Sequence, residues 1–383
     1  MNRRTVAVVT GTRAEFGLLT PILKEIRSDR RFRLQIIAAG QHFVANRGST
    51  WKEIPKAGFR IDAEVRAPEP TRSPAWMGEA LGVMTAGFSR LFAIQRPDWL
   101  LVLGDRAEPL AAALAATEMG GIAIAHLHGG EVTGHRQDDQ RRWLLSALAH
   151  LHLAATSRSV QLLQNSGEDL RLRIRQVGAP GLDSILERQE ERRPELCRQY
   201  GLPETGHFLL LAQHAVPHQA AQAKRQIQET LKALRRVGLP TLAFAPSTDR
   251  GGAAILRELK KASMPKFHLV ASVPHRDYLG LLSKASALVG NSSSGIIEAP
   301  AFGTPAVDIG IRQAGRERSA HVIPAPHRAA SIESAIRKAL SQAFRNRIER
   351  SRSPYGDGKT TPKVVKLLAS VRIDDRFLEK THD

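Results

Sequence analysis

The chain has 383 residues, 42% of them hydrophobic and 5% aromatic, a formal net charge of +19, and a single cysteine, Cys197. One cysteine excludes a disulfide framework and fits a reducing compartment. Scattered basic residues with few aromatics argue against a nucleic-acid platform, while a positive field suits a nucleotide or sugar-phosphate ligand.

The first strand is "TVAVVTG" (5–11), whose apolar run is too short for a signal peptide. A helix-like segment, "LLTPILKEIRS", follows, and then a second strand, "FRLQIIAAG" (32–40). "DWLLVLGDRAE" (98–108) and "GIAIAHLHGGE" (121–131) are two more, with the alanine-rich helix "PLAAALAATEM" between them. The longest apolar region, 110–125, is broken by Thr117 and Glu118, so no membrane span is expected and the chain reads as soluble and cytoplasmic. "HLHLAAT" (150–156) and "IRQVGAP" (174–180) continue the alternation. "GAPGLDSILER" (178–188) has the Gly/Pro content of a hinge.

The pattern then restarts with strands "HFLLLAQH" (207–214), "PTLAFAPS" (240–247), "FHLVASV" (267–273), "ALVGNSSSG" and "GTPAVDIG" (303–310). Strands apolar on both faces and alternating with helices predict parallel, doubly wound sheets. The expected fold is α/β, with two Rossmann-like domains facing a cleft: 1–178, 179–365, and a tail over 366–383. A turn and a closing helix are expected over 353–368.

Ligands in such sheets sit beyond the C-terminal strand ends, and polar motifs fall there. "GTRAEFG" (11–17) lacks the spacing of a dinucleotide fingerprint; Arg13 is either an anion contact or a surface arginine. "GDRAE" places Asp105, Arg106 and Glu108 past a buried strand, where charge needs partners or a polar cleft. "HLHGGEVTGHRQDDQRR" (126–142) holds three histidines, including His135, with Glu131, Asp138 and Asp139. Carboxylates meeting near Asp105 would perturb one another, which suits acid/base work. A metal reading of His126, His128, His150 and His152 is disfavoured, because no cysteine or HExxH spacing accompanies them. "QHAVP" puts His214 at a strand end of the second half. "GNSSSGIIEAP" (290–300) joins a buried strand to what reads as a helix start; it is either a capped connection or an anion cradle.

Together, "GTRAEFGLL", "LVLGDRAE", "HLHGGEVTG", "DDQRR", "LAQHAV", "VGAPGLD", "GNSSSGIIEAPAFGTPAVDIGIRQAGRE" and "YGDGK" resemble the bacterial UDP-N-acetylglucosamine 2-epimerase family, and in particular its hydrolysing branch. They run in order from residue 11 to 359. The non-hydrolysing branch usually has GDT and a VEAG-type motif where this chain has "GDR" and "HGGE". The resemblance implies two lobes of the GT-B type with the nucleotide held mainly by the second. Ser292, Ser293, Ser294 and Gly295 would cradle the diphosphate, Glu298 would accept from ribose hydroxyls, and Arg312 and Arg316 would lie near the diphosphate or sugar. Arg13, Arg106 and Asp139 would contact substrate from the first lobe.

It further implies that Asp105, Glu131 and Asp138 supply the carboxylates and that His214 assists departure of the leaving group. No cofactor or metal is expected, nor a nucleic-acid or membrane partner, and relatives suggest a homodimer. Where relatives have proline after the histidine this chain has Ala215. It carries Ser247 and Arg250 in place of a PNxDxG pattern, and Leu18 where some relatives have lysine. UDP versus GDP, and a plain versus a 2,4-diacetamido-6-deoxy sugar, stay open at this point. The competing readings are a non-hydrolysing epimerase, a GT-B glycosyltransferase, a polyanion binder and a noncatalytic nucleotide sensor.

Overall fold

The computed structural model describes residues 3–44, 49–71, 73, 75–134, 136–167, 173–186, 193–247, 250–271 and 273–380. Contacts divide the chain into two compact units, one of Met1–Val132, Arg136–Ser184 and Gly358–Asp383, the other of Thr133–His135 and Ile185–Asp357.

The first unit holds strands β1 (Arg4–Thr10), β2 (Phe32–Ala39), β3 (Ala63–Val65), β4 (Trp99–Leu103), β5 (Ala123–Leu127), β6 (Leu151–Ala154) and β7 (Ile174–Gln176). They form one parallel sheet in the order β3-β2-β1-β4-β5-β6-β7. Alternate side chains feed opposite layers, as strand geometry requires. Val6 and Val8 pack with Leu19, Ile22 and Leu23 on one face. Ala7 and Val9 pack with Met84, Phe88 and Phe92 on the other. Both faces are covered, which is why these strands read as continuous apolar runs.

The second unit repeats the plan with β8 (Leu209–Ala212), β9 (Thr241–Phe244), β10 (Phe267–Val270), β11 (Ala287–Gly290), β12 (Ala306–Ile309) and β13 (Val322–Ala325), in the order β10-β9-β8-β11-β12-β13. Leu209 and Leu211 enter one apolar layer, and Phe208 and Leu210 the other. In both sheets the order reverses at one place, between β1 and β4 and between β8 and β11. Those are the topological switch points at which such sheets hold ligands.

The two expected doubly wound α/β sheets are present, but the expected boundaries need correction. Residues 179–184 and 358–365, placed in the second domain from sequence, lie in the first unit, as do the described residues of the tail. The reason is packing. Val364, Val365 and Leu368 of the helix Thr360–Ser370 join the first unit's core. Arg4 donates to the carbonyls of Leu368, Ala369 and Val371 at 2.8–3.0 Å, and Trp99 Nε1 donates to Leu368 O at 3.1 Å. Asp183, just before the chain leaves the unit, caps that helix by accepting from the amides of Thr360 (2.9 Å) and Thr361. No helix among the described residues is long and apolar enough to cross a membrane.

Candidate functional site

Around the first switch point, β1 ends at Thr10 and Thr12 caps the helix Arg13–Ser28 by accepting from the Glu15 amide at 3.3 Å. The Glu15 carboxyl turns back to accept from Gly11 N at 2.6 Å, a reciprocal capping arrangement. Glu15 is 3% exposed. Burial, partly offset by Arg106 and reinforced by Glu108, pushes its carboxyl up to about 8. Arg13 is half-buried in the same first turn.

From the end of β4, Arg106 Nε meets Glu108 Oε2 at 3.2 Å, and Gln41 N donates to Glu108 Oε1 at 3.1 Å. Burial opposes ionisation of Glu108, yet Arg106 and these N–H donors outweigh it and hold the carboxyl below its usual range. The side chain fits only because its neighbours are glycines. A Cβ on Gly11 would stand 2.6 Å from Glu108 Cδ, and one on Gly40 2.6 Å from Glu108 Cγ. Asp105 pairs instead with Arg142, which also donates from Nη1 to His128 O at 2.9 Å.

The turn after β5 brings His128, at φ +62°, onto Glu131; the imidazole Nδ1 and the carboxylate are in hydrogen-bond contact and both residues are buried. Gly130 makes this turn possible: at φ +73°, a Cβ there would lie 2.5 Å from Ser159 O. Asp138 and Asp139 occupy the first turn of the helix Arg136–Leu148, half-exposed, with Arg141 Nη1 3.5 Å from Asp138.

His126 and His150 serve the scaffold. His126 Nε2 donates to Gly104 O at 2.7 Å, and burial lowers its pKa to about 3. His150 Nδ1 accepts from Ile124 N at 3.0 Å and its Nε2 donates to Leu378 O at 3.1 Å. Among the described residues no three His, Cys, Asp or Glu side chains are placed to hold a metal ion. His135, Thr248 and Asp249 lie outside the described residues.

In the second unit, His214 follows β8. Ser247 N donates to His214 Nδ1 at 2.9 Å, which leaves the ring proton on Nε2. Burial, reinforced by Arg312, lowers its pKa to about 3, so at neutral pH the ring is an uncharged Nε2–H donor. The turn after β11 departs from the expected helix start. Ser293–Gly295 is a single 3-10 turn, with Ser292 Oγ accepting from Ser294 N, and the helix Glu298–Ala301 has four residues. The amides of Gly295, Ile296 and Ile297 are spent inside the turn. An anion here would therefore meet Ser292 and Ser293 and the serine hydroxyls rather than a long helix dipole. Glu298 is buried just beyond, with Tyr278 in electrostatic reach of it.

The "RQAGRE" loop is bound to this turn. Arg312 Nη1 and Gln313 Nε2 donate to Asn291 O at 3.1 and 3.3 Å. Arg318 staples the loop from behind, donating to Asp308 Oδ2 at 2.8 Å and to Gln313 O at 3.1 Å. Arg316 is half-buried on the same loop.

Sequence reasoning thus placed the strand-end residues but missed several that organise them. Glu15 was visible as a cap partner three residues after Thr12. Arg142 and Asn291 carry no role in the sequence reading, and His128 enters it only as a disfavoured metal ligand. Nothing in the sequence paired Arg318 with Asp308.

A family model described as UDP-N-acetylglucosamine 2-epimerase matches residues 24–369. The chain is 34% identical over 378 residues, 98% of each chain, to a hydrolysing UDP-N,N'-diacetylbacillosamine 2-epimerase of Legionella pneumophila. It is 33% identical over 341 residues, 88% of each chain, to a UDP-N-acetylglucosamine 2-epimerase of Neisseria meningitidis. The crystal structure of a Neisseria meningitidis UDP-GlcNAc 2-epimerase bound to UDP-GlcNAc shares the fold, with a TM-score of 0.83 at 17% identity over 95% of this chain and 99% of that one.

Proposed function

The chain belongs to the UDP-N-acetylglucosamine 2-epimerase family, and on that footing we propose that it is a hydrolysing 2-epimerase of a nucleotide-linked 2-acetamido sugar. The observation that carries the reading is the set of carboxylates held after β4 and β5, Asp105 by Arg142 and the buried Glu131 by His128, with a serine turn and a neutral His214 in the second unit.

The chemistry has two demands. The C2 proton of a 2-acetamido sugar has no ring carbonyl beside it, so direct abstraction is slow. Breaking the anomeric C1–O bond first, or in concert, builds oxocarbenium character and makes loss of the C2 proton feasible. A carboxylate takes that proton, the nucleoside diphosphate leaves with the bonding electrons, and a 2-acetamidoglycal remains. Water then adds its hydroxyl to C1, and a proton returns to C2 on the opposite face, giving the free 2-epimer. Two carboxyls serve this, one as base and one as acid. We assign these roles among Asp105, Glu131 and Asp138.

The departing diphosphate needs positive charge and fixed donors. We assign these to Ser292, Ser293 and Ser294, the turn at Gly295, Arg312 and Arg316, with Arg13, Arg106 and Asp139 on the sugar side and Glu298 on the ribose hydroxyls. His214, uncharged with its proton on Nε2, would stabilise the leaving oxyanion as a hydrogen-bond donor. The relatives differ in the sugar named, diacetylbacillosamine in one and N-acetylglucosamine in another, so the reading is held at the 2-acetamido class, with UDP as the nucleotide. The product would feed synthesis of sialic-acid-like sugars in the cytoplasm. We also propose a homodimer; the exposed Val83 and Ile94 on the helix Trp76–Gln95 support an apolar contact face.

Proton NMR in D2O tests this, with UDP-N-acetylglucosamine, its GDP analogue and the diacetamido sugar nucleotide in parallel tubes. The expected result is free 2-epimer, deuterated at C2, with released nucleotide. An epimerised sugar still attached to its nucleotide would replace this reading with the non-hydrolysing one.

A further inference from the structure

The ends of β8 and β11 are pressed together. A Cβ on Gly290 would lie 2.1 Å from Ala212 O, at φ +138°, so only glycine permits the approach. The next residue, Asn291, is 1% exposed, and the close approach sets it against the main chain of His214. Its Oδ1 accepts from His214 N at 2.7 Å and its Nδ2 donates to His214 O at 2.9 Å. Its own amide donates to Ala212 O at 3.0 Å, and its carbonyl takes Arg312 and Gln313. One side chain therefore closes a two-point clamp on the backbone of a residue to which catalysis is assigned. A buried Asn whose amide is satisfied at both ends can hold only one orientation.

Resting on the 2-epimerase reading, we propose that Asn291 is a positioning residue for His214. Its side-chain amide fixes the His214 main chain so that the ring reaches the Ser247 amide through Nδ1 and presents Nε2–H in one direction. The substitution acts through the side chain alone, because Arg312 and Gln313 hold the Asn291 carbonyl, which any residue keeps.

A double-mutant cycle tests this. Asn291→Ala, His214→Ala and the double variant are assayed for turnover, and UDP affinity is measured by calorimetry. The expected result is that Asn291→Ala lowers kcat by about 10–100-fold, shifts UDP affinity by less than about threefold, and adds less than about threefold to the loss in His214→Ala. Losses that multiply in the double variant, or wild-type kcat in Asn291→Ala, overturn the proposal. A second readout needs no turnover. In nitrogen-15 histidine NMR, His214 of the parent shows a bare Nδ1 and a protonated Nε2, and Asn291→Ala mixes the tautomers. An unchanged His214 spectrum overturns the proposal. If the parent converts no 2-acetamido sugar nucleotide, the function reading falls while the NMR result still decides the role of Asn291. Should Asn291→Ala not fold, Asn291→Asp keeps the shape and the Oδ1 acceptor but replaces the Nδ2 donor with an oxygen facing the His214 carbonyl and adds charge; it is judged by the same criteria. Failure of both to fold counts against the proposal, because it makes the side chain a folding element.

Discussion

At the first sheet's switch point Glu15 and Glu108 lie buried beside the half-buried Arg106. At the second sheet's switch point stand Asn291, a serine turn and an uncharged His214, with charge brought in by the arginines of one loop. The two regions share topology and differ in material. Buried carboxyls beside histidine and arginine can take up and release protons. Amides, hydroxyls and guanidinium groups cannot at neutral pH, but they hold an anion well. The same architectural position thus holds titratable carboxyls in one unit and amide, hydroxyl and guanidinium donors in the other.

Replacing a carboxylate proposed to carry the proton, Glu131 after β5, should test this division most visibly. Glu131→Gln is expected to lower turnover by about 10³-fold or more while UDP affinity stays within a few-fold; turnover by NMR and calorimetry of UDP check this. Equal losses in both would erase the contrast. The second unit depends in turn on backbone approach. Gly290→Ala should cost about 3 kcal/mol or more through the clash with Ala212 O and the unfavourable φ, read as a lower midpoint in thermal or urea melts.

The pH dependence of stability should differ in sign between groups. Glu15 has a folded pKa of about 8 against 4.5, so its contribution is full below about pH 4.5 and is lost as pH rises through 8. Glu15→Gln has no proton to lose, so its stability relative to the parent should climb across that window, by on the order of 5 kcal/mol. His126 and His214, both lowered to about 3, act oppositely. Their contribution is present above about pH 6.5 and is lost as pH falls toward 3. Urea melts at several pH values separate the two. The smallest expected effect lies in the cradle. Ser292→Ala with Ser293→Ala should weaken UDP binding by about 10–50-fold and leave stability nearly unchanged; unaltered affinity would remove the serine turn from the site.

The central strands were legible because both of their faces are buried, which leaves long apolar runs. The strands that escaped notice are β3, three residues with Glu64 exposed, and β13, interrupted by Pro324; both are edges. The helix Trp76–Gln95 carries Gly78, Gly82 and Gly87, which weaken its signal. Site positions were legible because strand ends are marked by glycine and charge. Their partners were not, since pairing depends on tertiary approach: Arg142 reaches Asp105 from 37 positions away, and Glu15 owes its shifted pKa partly to Glu108 on another strand end. The helix Thr360–Ser370 read correctly as a closing helix, but its allegiance to the first unit is written only in its packing.

That allegiance bears on how the molecule comes into being on a ribosome. All seven strands of the first sheet emerge by residue 176, yet the helix carrying Val364, Val365 and Leu368, and the Phe377 ring that packs 5.8 Å from Trp99, emerge only after the whole second unit. The nascent first sheet must wait with part of one apolar face uncovered, and Asp183 must wait for the amides it will cap. During that interval the half-made protein presents greasy surface to its surroundings. Synthesis speed and chaperone supply therefore bear on how much of it is recovered.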